Sequence, residues 1–243
     1  MQLPAAVLDA LESCSSPRLC SCGEAVTPVH AEGFPTYYPR SCTSCDAKYC
    51  GAEIASRQEQ ERKDLGIPAL YLASTFDNLH DPKPSRAVIS TCRSYGSHHQ
   101  PTHAGLYLWS AVNGNGKSHL AAAILMSYGD GFFVNASDLI DDIKDSFNGV
   151  GPCRTEQRAL FAALLVLDDL GVGQATEWAE TRFYRLLNHR TSQLLPTVIT
   201  SNYSPELLEE RLGPRTASRI LGSCGILHVD GPDHRRLKRR DLT

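Results

Sequence analysis

Within the run LYLWSAVNGNGKSHLAAAI, Leu106 to Ile124, the residue types and their spacing suit phosphate chemistry. Gly114 and Gly116 let the backbone curl until successive amide groups face an anion, and the alanine-rich helix that follows presents its positive N-terminal end. Lys117 can reach terminal phosphates and the Ser118 hydroxyl can ligate magnesium. Asn113, Gly114, Asn115, Gly116, Lys117, Ser118 and His119 therefore form the candidate cradle for a magnesium nucleotide. The first glycine usual in such loops is replaced by Ala111, whose methyl group fits if its φ stays negative.

A magnesium nucleotide also needs acids at the end of a neighbouring strand. LLVLDDLG supplies Asp168, suited to magnesium directly or through water, and Asp169, suited to orient and polarise an attacking water. An aspartate in place of the glutamate common at that second position shortens the reach by one methylene. TVITSN ends in Asn202, a neutral amide able to position the water without adding negative charge. Two arginine groups follow: Arg215 and Arg219, spaced i and i+4 on one helical face, and Arg235 with Arg236 in GPDHRR. A guanidinium directed at developing γ-phosphate charge accelerates such reactions strongly.

The elements that must position these groups are legible as short apolar runs at 106–109, 132–136, 164–169, 197–202 and 226–231. Helical patterns such as SDLIDDIKDSF, TEWAETRFYRLLNHRTSQ and SPELLEERLG lie between them. That alternation predicts an α/β fold, a five-stranded parallel sheet with crossover helices on both faces. SYGSHHQPTHAG, just before the first run, reads as a mobile loop. Three regions separate by composition: a module at 1–51 rich in Cys, Pro, Ser and Gly, a polar connecting helix at 52–66 closed by Gly66 and Pro68, and a domain at 67–243 in which the apolar runs alternate with helical patterns.

The chain has 243 residues and a formal net charge of −3, which argues against a general basic coat for nucleic acid. Local contact remains available, as in the closing DHRRLKRRDLT. Neither a signal sequence nor an apolar run of membrane-spanning length is seen, so a cytoplasmic location with no membrane partner is expected. Of nine cysteines, six fall in the first fifty residues, which in a cytosolic chain points to metal before disulfides. Cys20, Cys22, Cys42 and Cys45 form two close pairs suited to tetrahedral Zn2+, with Cys14, Cys50 or His30 able to replace one ligand because the first pair is C-x-C. A small zinc-ribbon-like module is expected there. Cys92, Cys153 and Cys224 are scattered and read as buried small hydrophobes.

Together the motifs resemble the AAA+ ATPases of the DnaC/DnaI helicase-loader and IstB type, over roughly residues 65 to 237. LGIPALYLASTFDNL resembles the segment leading into that domain, GLYLWSAVNGNGKSHLAAAI its Walker A, LLVLDDLG its Walker B and TVITSN its sensor 1. ERLGPRTASRI resembles box VII and GPDHRR the sensor 2 region. The resemblance implies ATP and Mg2+ at Lys117, Ser118, Asp168 and Asp169, Asn202 as sensor 1, Arg219 as a finger reaching a neighbouring subunit's site, and Arg235 as the sensor 2 arginine. It implies self-association into an ATP-dependent ring or spiral. It also aligns Phe147, Thr176 and Trp178 with positions that face single-stranded DNA, where an aromatic ring can stack on bases or pack instead in the core.

The function implied is an ATP-dependent replicative helicase loader that grips a DnaB-type hexameric helicase through its N-terminal region and delivers it onto single-stranded DNA. An IstB-like transposition helper acting on duplex DNA is the alternative. A small-molecule P-loop kinase fits less well, because the Walker B, sensor and box VII arrangement belongs to oligomeric ATPases.

Overall fold

A computed structural model describes residues 25–26, 59–79, 84–97, 105–147, 152–171 and 176–235. The chain divides into two compact units, Met1–Gln60 and Glu61–Thr243, the second of which carries the sheet. The zinc-ligand candidates Cys20, Cys22, Cys42 and Cys45, with Cys14, Cys50 and His30, lie outside the described residues.

Five strands form one parallel sheet: β1 (Gly105–Trp109), β2 (Phe132–Asn135), β3 (Leu165–Leu170), β4 (Thr197–Ser201) and β5 (Cys224–His228), in spatial order β2-β3-β4-β1-β5. The helices are α1 (Arg86–Gly96), α2 (Lys117–Tyr128), α3 (Ala136–Ser146), α4 (Arg154–Phe161), α5 (Glu177–Ser192) and α6 (Leu208–Ser223). Strand residues alternate between two cores. Tyr107, Leu165, Leu167 and Ile199 face a layer made by α3 to α6, while Leu106, Leu108, Val166 and Val198 face α1 and α2. Because both faces are covered, the central strands read as continuous apolar runs.

α2 is buried nearly all round from Leu120 to Leu125, and its alanines let it lie close against the sheet. Gly116 (φ 101) opens it and Gly129 (φ 84) closes it, the Gly129 amide donating to the Leu125 carbonyl. The amide of Phe133, on the edge strand β2, donates to the Leu65 carbonyl at 2.8 Å, which covers part of that edge.

Arg190 on α5 is fully buried, and among the described residues no carboxylate pairs with it. Its guanidinium donates to the carbonyls of Ala159 (2.9 Å), Leu160 (3.2 Å), Ala162 (2.9 Å) and Pro196 (2.7 Å) and to the Thr197 hydroxyl (2.9 Å). One cation thereby satisfies the orphan carbonyls at the end of α4 and fixes the start of β4.

Three details depart from the sequence reading. The last strand begins at Cys224 instead of Ile226, because α6 runs directly into it and β5 is an edge strand whose Ile226 is 39% exposed. SPELLEERLG divides into a short 3-10 turn, Pro205–Leu207, and the start of α6, which kinks at Gly213 (φ 75) before Pro214. Ser94 to Gly96, expected in a loop, close α1 with Tyr95 buried; residues 98–104 of that stretch lie outside the described residues.

Candidate functional site

The carboxyl ends of β1, β3 and β4 converge on one cavity of about 460 Å³. The loop from β1 to α2 forms its floor. Gly114 (φ 70) and Gly116 (φ 101) take left-handed conformations, whereas Asp169 and Leu194 are the only non-glycine residues with positive φ among the described ones. Ala111 is not among them, so the condition under which its methyl group fits is met. No side chain caps α2, so its first amides remain available to an anion.

Lys117 is buried, and its ammonium donates to the loop itself: the carbonyls of Ser110 (3.2 Å) and Val112 (2.8 Å) and Asn115 Oδ1 (3.1 Å). Burial pushes its pKa down to about 8; Asp169 and Asp168 oppose that shift and Arg235 adds to it. Such an ammonium, held by neutral acceptors above two carboxylates, is suited to exchange them for phosphate oxygens.

The acidic pair sits on a break in β3 pairing between Leu167 and Leu170. Asp169 is there at φ 61, and its amide donates to the Thr200 hydroxyl at 2.8 Å. That hydroxyl in turn donates to Asp168 Oδ1 at 2.6 Å, and the Asn202 amide donates to Asp169 Oδ1 at 3.2 Å. Burial raises the pKa of Asp168, countered by hydrogen bonds from Thr200 and Ser118. Ser118 and Asp168 both line the cavity, and their oxygens suit a hard divalent cation such as Mg2+. Asp169 and Asn202, side by side at the cavity, can share a water.

The segment after β5 closes the far side. The His234 amide donates to the Gly114 carbonyl at 3.1 Å, and Asp233 Oδ1 accepts the Arg235 amide at 3.0 Å. A Cβ added to Gly114 would lie 2.2 Å from Asp233 Oδ1, so a larger residue there would have to displace that carboxylate as well as hold the strained φ of 70. Arg235 lines the cavity with Asn113 and His119, whose ring also holds the Thr75 carbonyl at 2.8 Å. Arg215 and Arg219 lie elsewhere, exposed on the half of α6 beyond the Gly213 kink. Arg236 is outside the described residues.

A second cluster lies apart from the cavity. Phe147, 62% exposed at the end of α3, meets Trp178 of α5 edge-on at 6.0 Å. The Arg182 guanidinium stands 5.3 Å from both ring centroids and pairs with Glu156 at 3.3 Å; the Lys144 ammonium is 6.0 Å from Trp178. Trp178 packs partly against the core. Thr176 is exposed and caps α5, its hydroxyl accepting the Ala179 amide at 3.2 Å. Cys92 and Cys224 are buried as expected, with thiol pKa values pushed up to about 12 and about 11, but Cys153 is half-buried and caps α4.

The sequence reading missed Thr200, Lys144 and Arg182. Thr200 was legible only through strand alternation, which puts it two residues before Asn202; Arg182 lies one helical turn from Trp178.

A five-stranded parallel sheet with a phosphate loop after β1, an acidic pair on β3 and a polar end on β4 defines an AAA+-like nucleotide-binding fold. No protein-family model matches the chain. It is similar to the replicative helicase loader DnaI of Bacillus subtilis, at 26% identity over 230 residues that span 82% of this chain and 73% of that one. Similarity to the replicative helicase loader DnaC of Buchnera aphidicola is 27% over 181 residues, 70% of this chain and 73% of that one. A crystal structure of the DnaC helicase loader superposes with a TM-score of 0.59 at 26% identity, covering 67% of this chain and all of that one.

Proposed function

We propose that this protein is an ATP-dependent replicative helicase loader. The observation that carries the ATPase part is the hydrogen-bonded set Asp168, Thr200, Asp169 and Asn202 at the cavity that Lys117 also lines. That cavity would take ATP, with the Gly114–Ser118 backbone and Lys117 as the groups that would hold its phosphates and Ser118 and Asp168 as those that would hold Mg2+. The metal supplies charge neutralisation on the phosphates. Asp169 and Asn202 orient the attacking water, and Arg235 contacts the terminal phosphate from the same chain. Arg219, exposed and away from its own cavity, completes a neighbour's site, so hydrolysis requires a ring or spiral of subunits.

The loading part rests on similarity to replicative helicase loaders across most of the chain. The cluster of Phe147, Trp178, Arg182 and Lys144, with Thr176 beside it in sequence, is the single-stranded DNA surface: rings for bases and cations for phosphates. Residues 1–51 hold Zn2+ through Cys20, Cys22, Cys42 and Cys45 and contact a DnaB-type helicase in the cytoplasm. Zinc content of the purified chain, before and after replacing Cys42 and Cys45 with serine, checks the metal. Among the described residues no helix is long and apolar enough to cross a membrane.

The deciding experiment is light scattering of the chain with a candidate replicative helicase, with and without ATP and magnesium, followed by helicase loading on single-stranded DNA. A co-complex and ATP-dependent loading are expected. Absence of both, with assembly only on duplex DNA, overturns the loader reading.

A further inference from the structure

Asn115 occupies the middle of the phosphate loop, yet its side chain is turned inward and fully buried. Its Oδ1 accepts from the Lys117 ammonium at 3.1 Å and its Nδ2 donates to the Val229 carbonyl at 2.6 Å. A cation on one side and a carbonyl on the other allow only this orientation of the amide. Val229 is itself buried, and its amide donates to the Trp109 carbonyl at 2.9 Å, so it continues the β5 pairing with β1. Five residues further on, the same segment returns to the loop through the His234 to Gly114 bond and delivers Arg235 to the cavity.

We propose that Asn115 is a positioning residue that ties Lys117 to the 229–235 segment, so that capture of phosphate by the lysine and placement of Arg235 are linked through one buried amide. This rests on the nucleotide-binding reading above. Lys117 and Arg235 both line the cavity, but the lysine donates its hydrogen bonds to Ser110, Val112 and Asn115. The Asn115 amide is the polar connection from that ammonium to the segment bearing Arg235. When Lys117 turns toward phosphate it loosens its hold on Asn115 Oδ1, and the amide is then free to shift against Val229. The reverse also holds: a segment drawn away from the loop pulls the amide off the lysine, leaving the ammonium to the two loop carbonyls.

Two substitutions separate the two ends of the link. Asn115→Asp keeps an acceptor for the lysine and makes it anionic, while it loses the donor to Val229. Phosphate must then displace an ion pair, and KM for ATP with magnesium should rise about tenfold or more with a smaller change in kcat. Asn115→Leu, close in volume and unable to make either bond, should leave KM within about threefold and lower kcat instead, because Arg235 is no longer held in register.

The test is steady-state hydrolysis by the full chain, together with hydrogen exchange of the 229–235 backbone with and without a non-hydrolysable ATP analogue. In the native protein the analogue changes exchange across 229–235, and in Asn115→Leu that change is lost although the analogue still binds. Retention of the change in a variant that binds the analogue overturns the link. Should Asn115→Leu fail to fold, Asn115→Asp decides: an unchanged KM refutes the proposal. If the native chain binds no analogue at all, the nucleotide reading itself fails, and that outcome is distinct from both.

Discussion

The Thr200 hydroxyl donates to Asp168 at 2.6 Å while accepting the Asp169 amide at 2.8 Å, so one buried oxygen on β4 sets the position of two consecutive carboxylates on β3. Asp169 stands at φ 61, a conformation that costs an ordinary residue of order 1–3 kcal/mol and persists only when its surroundings impose it. Replacing Thr200 with valine keeps the shape and removes both bonds. We expect kcat for ATP hydrolysis to fall about a hundredfold with little change in KM, and Thr200→Ser to retain most of the activity. Equal rates for native and valine proteins in steady-state assays would refute this.

Lys117 should give nucleotide binding a distinctive pH dependence. Phosphate prefers the ammonium form, and the pKa of that group in the nucleotide-free protein is lowered to about 8. Below that value the lysine is already charged and affinity should be flat. Above it a proton must be taken up on binding, so Kd should climb toward a limit of about tenfold per pH unit. Titration with a fluorescent nucleotide at a series of pH values on either side of that pKa measures the effect, and a flat profile would contradict the assignment.

If the Arg219 guanidinium serves another subunit as proposed, Arg219→Ala should bind nucleotide almost normally and hydrolyse none. Mixing it with Asp169→Asn, inactive for a different reason, should restore part of the activity: a subunit carrying the Asp169→Asn change still offers an intact finger to a neighbour whose acids are intact. No recovery on mixing, or normal hydrolysis by Arg219→Ala alone, places the arginine outside the reaction.

Trp178→Ala should weaken binding of single-stranded DNA by about tenfold, within the range of one lost stacking contact. Arg182→Ala should weaken it too and reduce its salt dependence if the guanidinium contacts a phosphate as proposed. Fluorescence anisotropy with a labelled oligonucleotide at several salt concentrations distinguishes the two effects. Full affinity in both variants would move the DNA surface elsewhere.

Arg190→Met should lower the stability of the unit that carries the sheet by about 2–4 kcal/mol, because five hydrogen bonds are lost and several buried carbonyls are left without donors. Arg190→Lys should recover only part, since an ammonium has three donors and no planar fork. Denaturant unfolding reports both.

Most of the sheet was legible because its central strands are buried on both faces and punctuated by glycine, proline and polar residues. The acids and the phosphate loop were legible for the same reason: they terminate those strands. β5 was misjudged by two residues because an edge strand lacks the double apolar signature, and its Ile226 and His228 are exposed. What a linear reading cannot contain is contact between distant segments. Thr200 reads as one more β-branched strand residue until β3 is laid beside β4, and Asn115 as one more loop amide until Val229 comes within 2.6 Å. Arg190 looks like an ordinary basic residue near a helix end, where a cation is common; its partners lie at the end of α4, 28 to 31 residues back, and at the start of β4.

The break at Gly213 gives α6 the properties of a jointed lever. Its left-handed turn is followed by Pro214, which has no amide hydrogen, so the joint leaves one fewer backbone bond to strain when the two halves bend. Arg219 lies six residues beyond, about 9 Å along the axis at the usual helical rise, and a rotation of about 10° at the glycine would carry it about 1.5 Å. That displacement is comparable to the difference between a made and a broken hydrogen bond. If Arg219 acts in a neighbour's site as proposed, a molecule pressing on the outer half of α6 would therefore have a mechanical advantage over chemistry in which it takes no covalent part.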